Sequence, residues 1–152
     1  MKITKPIKER LNAHREMVEK LKALKDELDF ARSQFGAVKS PNLSGMPGGG
    51  GYKGISETEV VVIRAIELEE KVRKQQTKVD ADWAELEPVI EQLKPVETLI
   101  MNLRYKYGAE WDEVCRGVFG KRRDYDDELD RYMNRTFKAH GRALLSLSEI
   151  MQ

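Results

Sequence analysis

With 152 residues, 40% of them hydrophobic and 35% charged, the chain has room for one ordinary domain or two small helical ones. Its net charge of +1, from 27 basic and 26 acidic residues, argues neither for nor against nucleic acid, so only a local stripe of charge can bear on it. A single cysteine excludes an internal disulfide framework, and no stretch approaches the roughly 20 apolar residues of a membrane span. Met1-Lys2-Ile3-Thr4-Lys5-Pro6 also lacks the apolar run of a secretory signal, so the expected location is the cytoplasm.

The first predicted element is a helix over residues 6–34. Ile7, Leu11, His14, Met17, Val18, Leu21, Leu24 and Leu28 form its apolar stripe. His14 interrupts that stripe and, without a second ligand at chelating distance, reads as a helix-contact histidine rather than a metal ligand. Over residues 36–55 the composition changes to a Gly/Pro-rich connector containing four consecutive glycines. It lacks the downstream Gly-Lys-Ser/Thr of a phosphate-cradling loop and therefore reads as a link that lets the flanking helices fold back on each other.

Ser56-Glu57-Thr58-Glu59 is a capping box. Beyond it Val61, Ala65, Leu68, Val72, Gln75, Val79, Trp83, Leu86, Ile90 and Leu93 alternate spacings of three and four, the register of a coiled-coil seam. Pro88 is expected to kink or divide this helix. Residues 1–56 carry eleven cations and six acids, and residues 57–94 six and ten, so the two long helices are expected to face each other with opposite charge. A second copy of the chain is a further partner for the seam, predicting a homodimer through the long helices.

Pro95 suits the first turn of a new helix and sets the predicted boundary. Residues 1–94 form a helical hairpin, and residues 95–152 a helix-turn-helix module, all-α throughout. Leu99 and Leu103 share a face, and Gly108 closes the segment. Trp111, Val114, Cys115 and Val118 form one face of a short helix that ends at Gly120. Cys115, on that face, reads as a buried structural thiol. In the last helix Leu129, Met133, Phe137, His140, Leu144 and Leu147 are expected to face the core, and Arg131, Arg135, Lys138 and Arg142 the opposite side. Residues 131–148 contain four cations and no carboxylate. A row of this kind follows a phosphate backbone, and Asn134 and Arg135 carry donors and acceptors suited to base edges. A solvated face shows the same pattern, and periodicity alone leaves that reading open.

Leu103-Arg104-Tyr105, Gly108, Trp111 with Glu113-Val114, and Arg135-Thr136-Phe137-Lys138 with His140-Gly141-Arg142-Ala143-Leu144 together resemble the C-terminal module of phage late transcriptional regulators of the RinA and ArpU type. That module is similar to the sigma-factor domain that reads the promoter −35 element. Ser40-Pro41-Asn42-Leu43-Ser44-Gly45-Met46-Pro47 followed by an acidic helix extends the resemblance upstream. It implies a sequence-specific DNA-binding regulator of phage genes, an activator of late genes acting in the bacterial host cell on double-stranded DNA, with RNA polymerase as a further partner.

The expected roles are base reading for Asn134, Arg135 and Lys138, and phosphate contact for Arg131, His140 and Arg142. Arg104 is expected either to contact the DNA backbone or to pair with an acid in the core. Trp111, Val114, Phe137, Leu144, Leu103 and Leu99 hold the module together. The resemblance supports Arg135, Lys138, His140 and Arg142, and it does not extend to residues 121–130. There Lys121, Arg122 and Arg123 are candidates for backbone contact. Asp124 is expected to cap the last helix, and the acidic run that it opens to meet a basic partner. No catalytic group or cofactor is expected, because the carboxylates lie in charge-alternating helices without a nucleophile or histidine cluster. Asp126, Asp127 and Asp130 lack the glycine and spacing of a calcium loop. A coiled-coil adaptor or assembly protein, or a DNA-binding packaging protein, would use similar parts.

Overall fold

A computed structural model describes residues 2–38 and 56–152, and every regular element in them is helical. A short 3-10 turn (Lys2–Thr4) leads into α1 (Lys5–Val38), followed by α2 (Glu57–Ile90), α3 (Pro95–Met101), α4 (Trp111–Phe119) and α5 (Leu129–Ile150). Helix α1 thus runs into the first three residues of the expected connector, the rest of which lies outside the described residues, as do Ser40 through Pro47 of the upstream motif. Among the described residues no helix is long and apolar enough to cross a membrane.

The chain forms two compact units, Lys20–Gln76 and Met1–Glu19 with Thr77–Gln152. This division crosses both long helices instead of falling near Lys94, because the outer ends of α1 and α2 share a core with the C-terminal helices.

In the smaller unit the expected seam forms, with Leu28 and Ala31 of α1 packed with Ala65 and Leu68 of α2, and Leu24 and Val72 at its margins. The basic and acidic helices pair as expected, Arg32 with Glu69 at 3.0 Å and Arg64 with Glu27 at 3.8 Å. Ser56 caps α2 by accepting the Glu59 amide at 3.1 Å.

The larger unit is built on Leu11 of α1, Trp83, Leu86 and Ile90 of α2, Leu93, Met101, Tyr105, and Ala143, Leu144 and Leu147 of α5. His14 is fully buried and holds the two long helices together through Asp82, 2.7 Å from Nδ1. Burial pushes the Asp82 carboxyl up, but the hydrogen bonds from Arg10 and His14 outweigh it, and its pKa falls below the usual value. Pro88 does not divide α2. It sits in the last turn, two residues before the helix ends at Ile90. Leu93 closes the exit with a 3.1 Å amide bond to the Ile90 carbonyl, and Pro95 opens α3 as expected.

Helix α3 passes directly into one wide π turn, Asn102–Lys106, where the Tyr107 amide bonds the Asn102 carbonyl. In α3 it is Ile100 and Met101 that are buried, followed by Tyr105 in the π turn, whereas Leu99, expected in the core, is 40% exposed. Gly108 follows with φ 68°, a left-handed conformation that glycine adopts without a Cβ penalty. Helix α4 buries Val114 and Cys115 as expected, and Glu113 accepts the Glu110 amide at its start. Residues 120–128 wind through successive tight turns. Asp124 does not cap α5, which begins only at Leu129; its carboxylate instead accepts the Tyr132 hydroxyl at 2.6 Å, and its carbonyl accepts the Glu128 amide. That hydrogen bond holds the Asp124 carboxyl below its ordinary pKa.

Candidate nucleic-acid interface

Helix α5 is oriented by its small residues. Tyr132, Thr136, Ala139, His140, Ala143, Leu144 and Leu147 are buried. This face is centred on Thr136, Ala139 and Ala143, where short side chains let α3 and α4 come close, and not on the larger Met133 and Phe137. Thr136 can be buried there because its hydroxyl donates to the Tyr132 carbonyl at 2.9 Å. Phe137, expected in the core, is 44% exposed and keeps one edge-on contact with Trp111; Leu129 is also exposed.

The outward face carries Arg131, Asn134, Arg135, Lys138 and Arg142, all exposed. Three of these cations converge with two from other segments. Arg135, Lys138 and Arg142 line one wall of a cleft of about 580 Å³, completed by Arg122 from the turn before α5 and Lys94 from the residue preceding α3. The floor is Pro95, Val96, Phe119 and Ala139, and Glu97, almost fully buried, supplies its one carboxylate. The Arg135 guanidinium lies over the Phe119 ring at 4.9 Å and 5.7 Å from the Tyr132 ring, which restricts its orientation before any ligand arrives. Among the described residues, none of the five cations has a carboxylate within the 4.0 Å of an ion pair.

Other expected site residues lie elsewhere. Lys121 and Arg123 are exposed on the turn, on either side of Arg122 and outside the cleft lining. Arg131 projects beside Tyr132, 5.7 Å from its ring. His140 is not a phosphate contact. It is 7% exposed, its Nε2 is 2.7 Å from the Tyr105 hydroxyl, and Trp111 meets its ring edge-on. Burial, with the Lys8 and Arg104 charges nearby, lowers its pKa to about 4, so at neutral pH the uncharged ring accepts the Tyr105 proton. Burial in the same pair pushes Tyr105 up to about 12.

Of the two roles expected for Arg104, the structure shows the internal one. Its guanidinium donates to the Ala109 carbonyl at 3.1 Å, lies 4.5 Å from the Trp111 ring centre, and reaches Glu110 at 3.9 Å. Burial and then the Arg15 charge lower its pKa. Arg15 from α1 shares Glu110 at 3.2 Å and also pairs with Glu19.

Lys94 is the cleft residue that periodicity missed. The available signal was a cation directly before a helix-opening proline, where the backbone direction is fixed and the side chain stands at the helix entrance. Among the described residues no group of three His, Cys, Asp or Glu side chains is placed to hold a metal ion. Cys115 is a free, fully buried thiol that interacts with Tyr125.

No protein family, curated protein or solved structure matches the chain. Among the described residues, the cations around α5 are distinguished by converging on one cleft without an ion-pair partner. They suit a polyanion, and the exposed amide of Asn134 beside them adds a group able to discriminate between bases.

Proposed function

We propose that the protein is a sequence-specific DNA-binding transcriptional regulator of phage genes, an activator of late genes, with α5 as its DNA-reading helix. The observation that carries this reading is the convergence of Lys94, Arg122, Arg135, Lys138 and Arg142, which among the described residues have no ion-pair partner. Arg131, Arg142, Arg122 and Lys94 would hold the phosphate backbone, with Lys121 and Arg123 at its edge. Asn134, Arg135 and Lys138 would face the base edges. The exposed acids Asp126, Asp127, Glu128 and Asp130 would meet RNA polymerase, away from the DNA.

The test is binding of the purified protein to fragments of its own genome against random duplex. Selective retention of particular fragments supports the reading. Equal affinity for all sequences reduces it to general DNA binding, as in a packaging protein.

A specific observation also favours a role for the hairpin as an association surface. Val60, Ile63 and Ile66 are exposed on the side of α2 away from Ala65 and Leu68. In a regulator, dimerisation there would present two reading heads to repeated half-sites. Without DNA binding, the same surface would serve a coiled-coil adaptor. Light scattering of the wild type and of Ile63→Glu/Ile66→Glu separates a dimer that dissociates from a monomer unaffected by the change.

A further inference from the structure

Gly141 lies in the interior of α5, where glycine destabilises a helix relative to alanine. The fold gives no reason for it. Its φ is not positive, and a Cβ built on it would meet no heavy atom within 4 Å. Two other glycines differ. At Gly117 a Cβ would lie 2.8 Å from Leu103 Cδ1, and at Gly120 it would collide with the Arg116 carbonyl oxygen. Gly141 is therefore a position where the helix backbone is left bare toward the outside.

It opens onto a depression of about 400 Å³ lined by Thr4, Lys138, Gly141, Arg142, Leu144 and Leu145. Lys138 and Arg142 also belong to the basic cleft, so these two cations stand on a ridge with a concavity on each flank. At 100° per residue, Asn134, Lys138 and Gly141 follow one edge of the outward face, and Arg135 and Arg142 the other. The lining of the Gly141 depression contains no carboxylate, whereas the basic cleft contains the buried Glu97.

We infer that Gly141 is the point of closest approach of a phosphodiester strand of duplex DNA, on the flank opposite the cleft that Lys94 and Arg122 complete, with Arg142 gripping its phosphates. This rests on the DNA-binding reading and adds to it. A helix seated in the major groove is bordered by both strands, so it needs a backbone seat on each side. The cleft is one seat. The bare backbone at Gly141 is the other, and a side chain there would hold the strand off.

The wild type, Gly141→Ala and Gly141→Leu are each titrated at low salt with a labelled random-sequence duplex of about three helical turns, and their melting is followed by circular dichroism. Melting temperatures at or above the wild type are expected, because a Cβ meets open space and alanine favours helix. Affinity is expected to fall about tenfold for Gly141→Ala and by at least as much again for Gly141→Leu, a steric penalty that grows with size. Unchanged affinity in both variants overturns the inference and leaves the DNA-binding reading intact. Lower melting temperatures in parallel with lower affinity also overturn it, since Gly141 would then serve the fold. A wild type that fails to bind the duplex overturns the DNA-binding reading itself, and this inference with it.

Discussion

The two long helices and the last helix carry similar densities of basic residues but treat them differently. On α1 and α2 the arginines find acids: Arg10 bonds Asp82 at 2.7 Å, Arg32 bonds Glu69, Arg64 reaches Glu27, and Arg73 pairs with Glu70 one turn away. Around α5, Lys94, Arg122, Arg135, Lys138 and Arg142 converge on one cleft, and among the described residues none of them has a carboxylate in ion-pair range. Exposed pairs contribute little to stability, so the hairpin charges mainly set which helices face each other. Like charges brought together without a carboxylate in ion-pair range add repulsion to the fold, and among the described residues only Arg135 of the five has an aromatic contact to offset it, over Phe119 at 4.9 Å. Under the proposed function a polyanion supplies the missing counter-charge, and contrasting the hairpin with α5 tests it.

The strongest way to break the comparison is to reverse the unpaired charges. Lys138→Glu/Arg142→Glu is expected to lower affinity for duplex DNA by a thousandfold or more at about 0.1 M salt, because contacts become repulsions. Circular dichroism should show an unchanged fold, since both side chains are exposed. An affinity near that of the wild type in a gel-shift titration would show that α5 is merely solvated.

Removing a partner from the hairpin should do the opposite, harming stability and sparing DNA. Asp82→Ala leaves the fully buried His14 and half-buried Arg10 without their shared acceptor. A loss of about 3 kcal/mol is expected in urea denaturation, with no change in DNA affinity when the protein is folded.

His140 provides a pH test inside the module. Its folded pKa of about 4 lies below the ordinary value of 6.5, so between these values the unfolded chain binds a proton that the folded chain does not. Its contribution is therefore complete above pH 6.5, declines as the pH falls toward 4, and is level below that. The total is about 3 kcal/mol. Urea midpoints of the wild type and His140→Gln across this range should converge toward low pH. Midpoints that stay parallel would show that the histidine charges freely and is not buried.

The smallest effect should come from an exposed hairpin pair. Arg32→Ala is expected to cost less than about 1 kcal/mol, and Glu69→Ala the same, because both side chains are more than half exposed. A double-mutant cycle measures the coupling.

Much of this architecture was legible in the sequence because a long amphipathic helix repeats one signal many times. The seam from Ala65 to Leu93, the Ser56 cap, Pro95 at a helix start and left-handed Gly108 all lie where spacing and residue type place them. The errors occur where the buried face shifts by one residue. In α3 the spacing of Leu99 and Leu103 pointed to Leu99, whereas Ile100 and Met101 are the residues that face the core. In α5 the stripe of large side chains pointed to Phe137, whereas Thr136, Ala139 and Ala143 set the buried face, because close packing selects for small volume as well as for apolarity. His140 was placed both on the core face and among the phosphate contacts; burial beside Tyr105 and Trp111 bears out the first and excludes the second. Lys94 and Arg122 join the cleft from distant segments, a tertiary fact that a helical wheel of α5 does not contain.

The most direct measurement is the salt dependence of DNA affinity in two charge-deleted variants. One replaces Arg122, Arg131 and Arg142, the proposed phosphate contacts at and beside α5, by alanine, and the other Arg32, Arg64 and Arg73 of the hairpin. If the unpaired cations at and beside α5 meet phosphate, the slope of log K against log salt should fall by up to about three in the first variant and stay at the wild-type value in the second. Equal slopes in both variants, or a wild type that does not bind duplex DNA at low salt, would contradict the assignment of α5 as a DNA-binding helix.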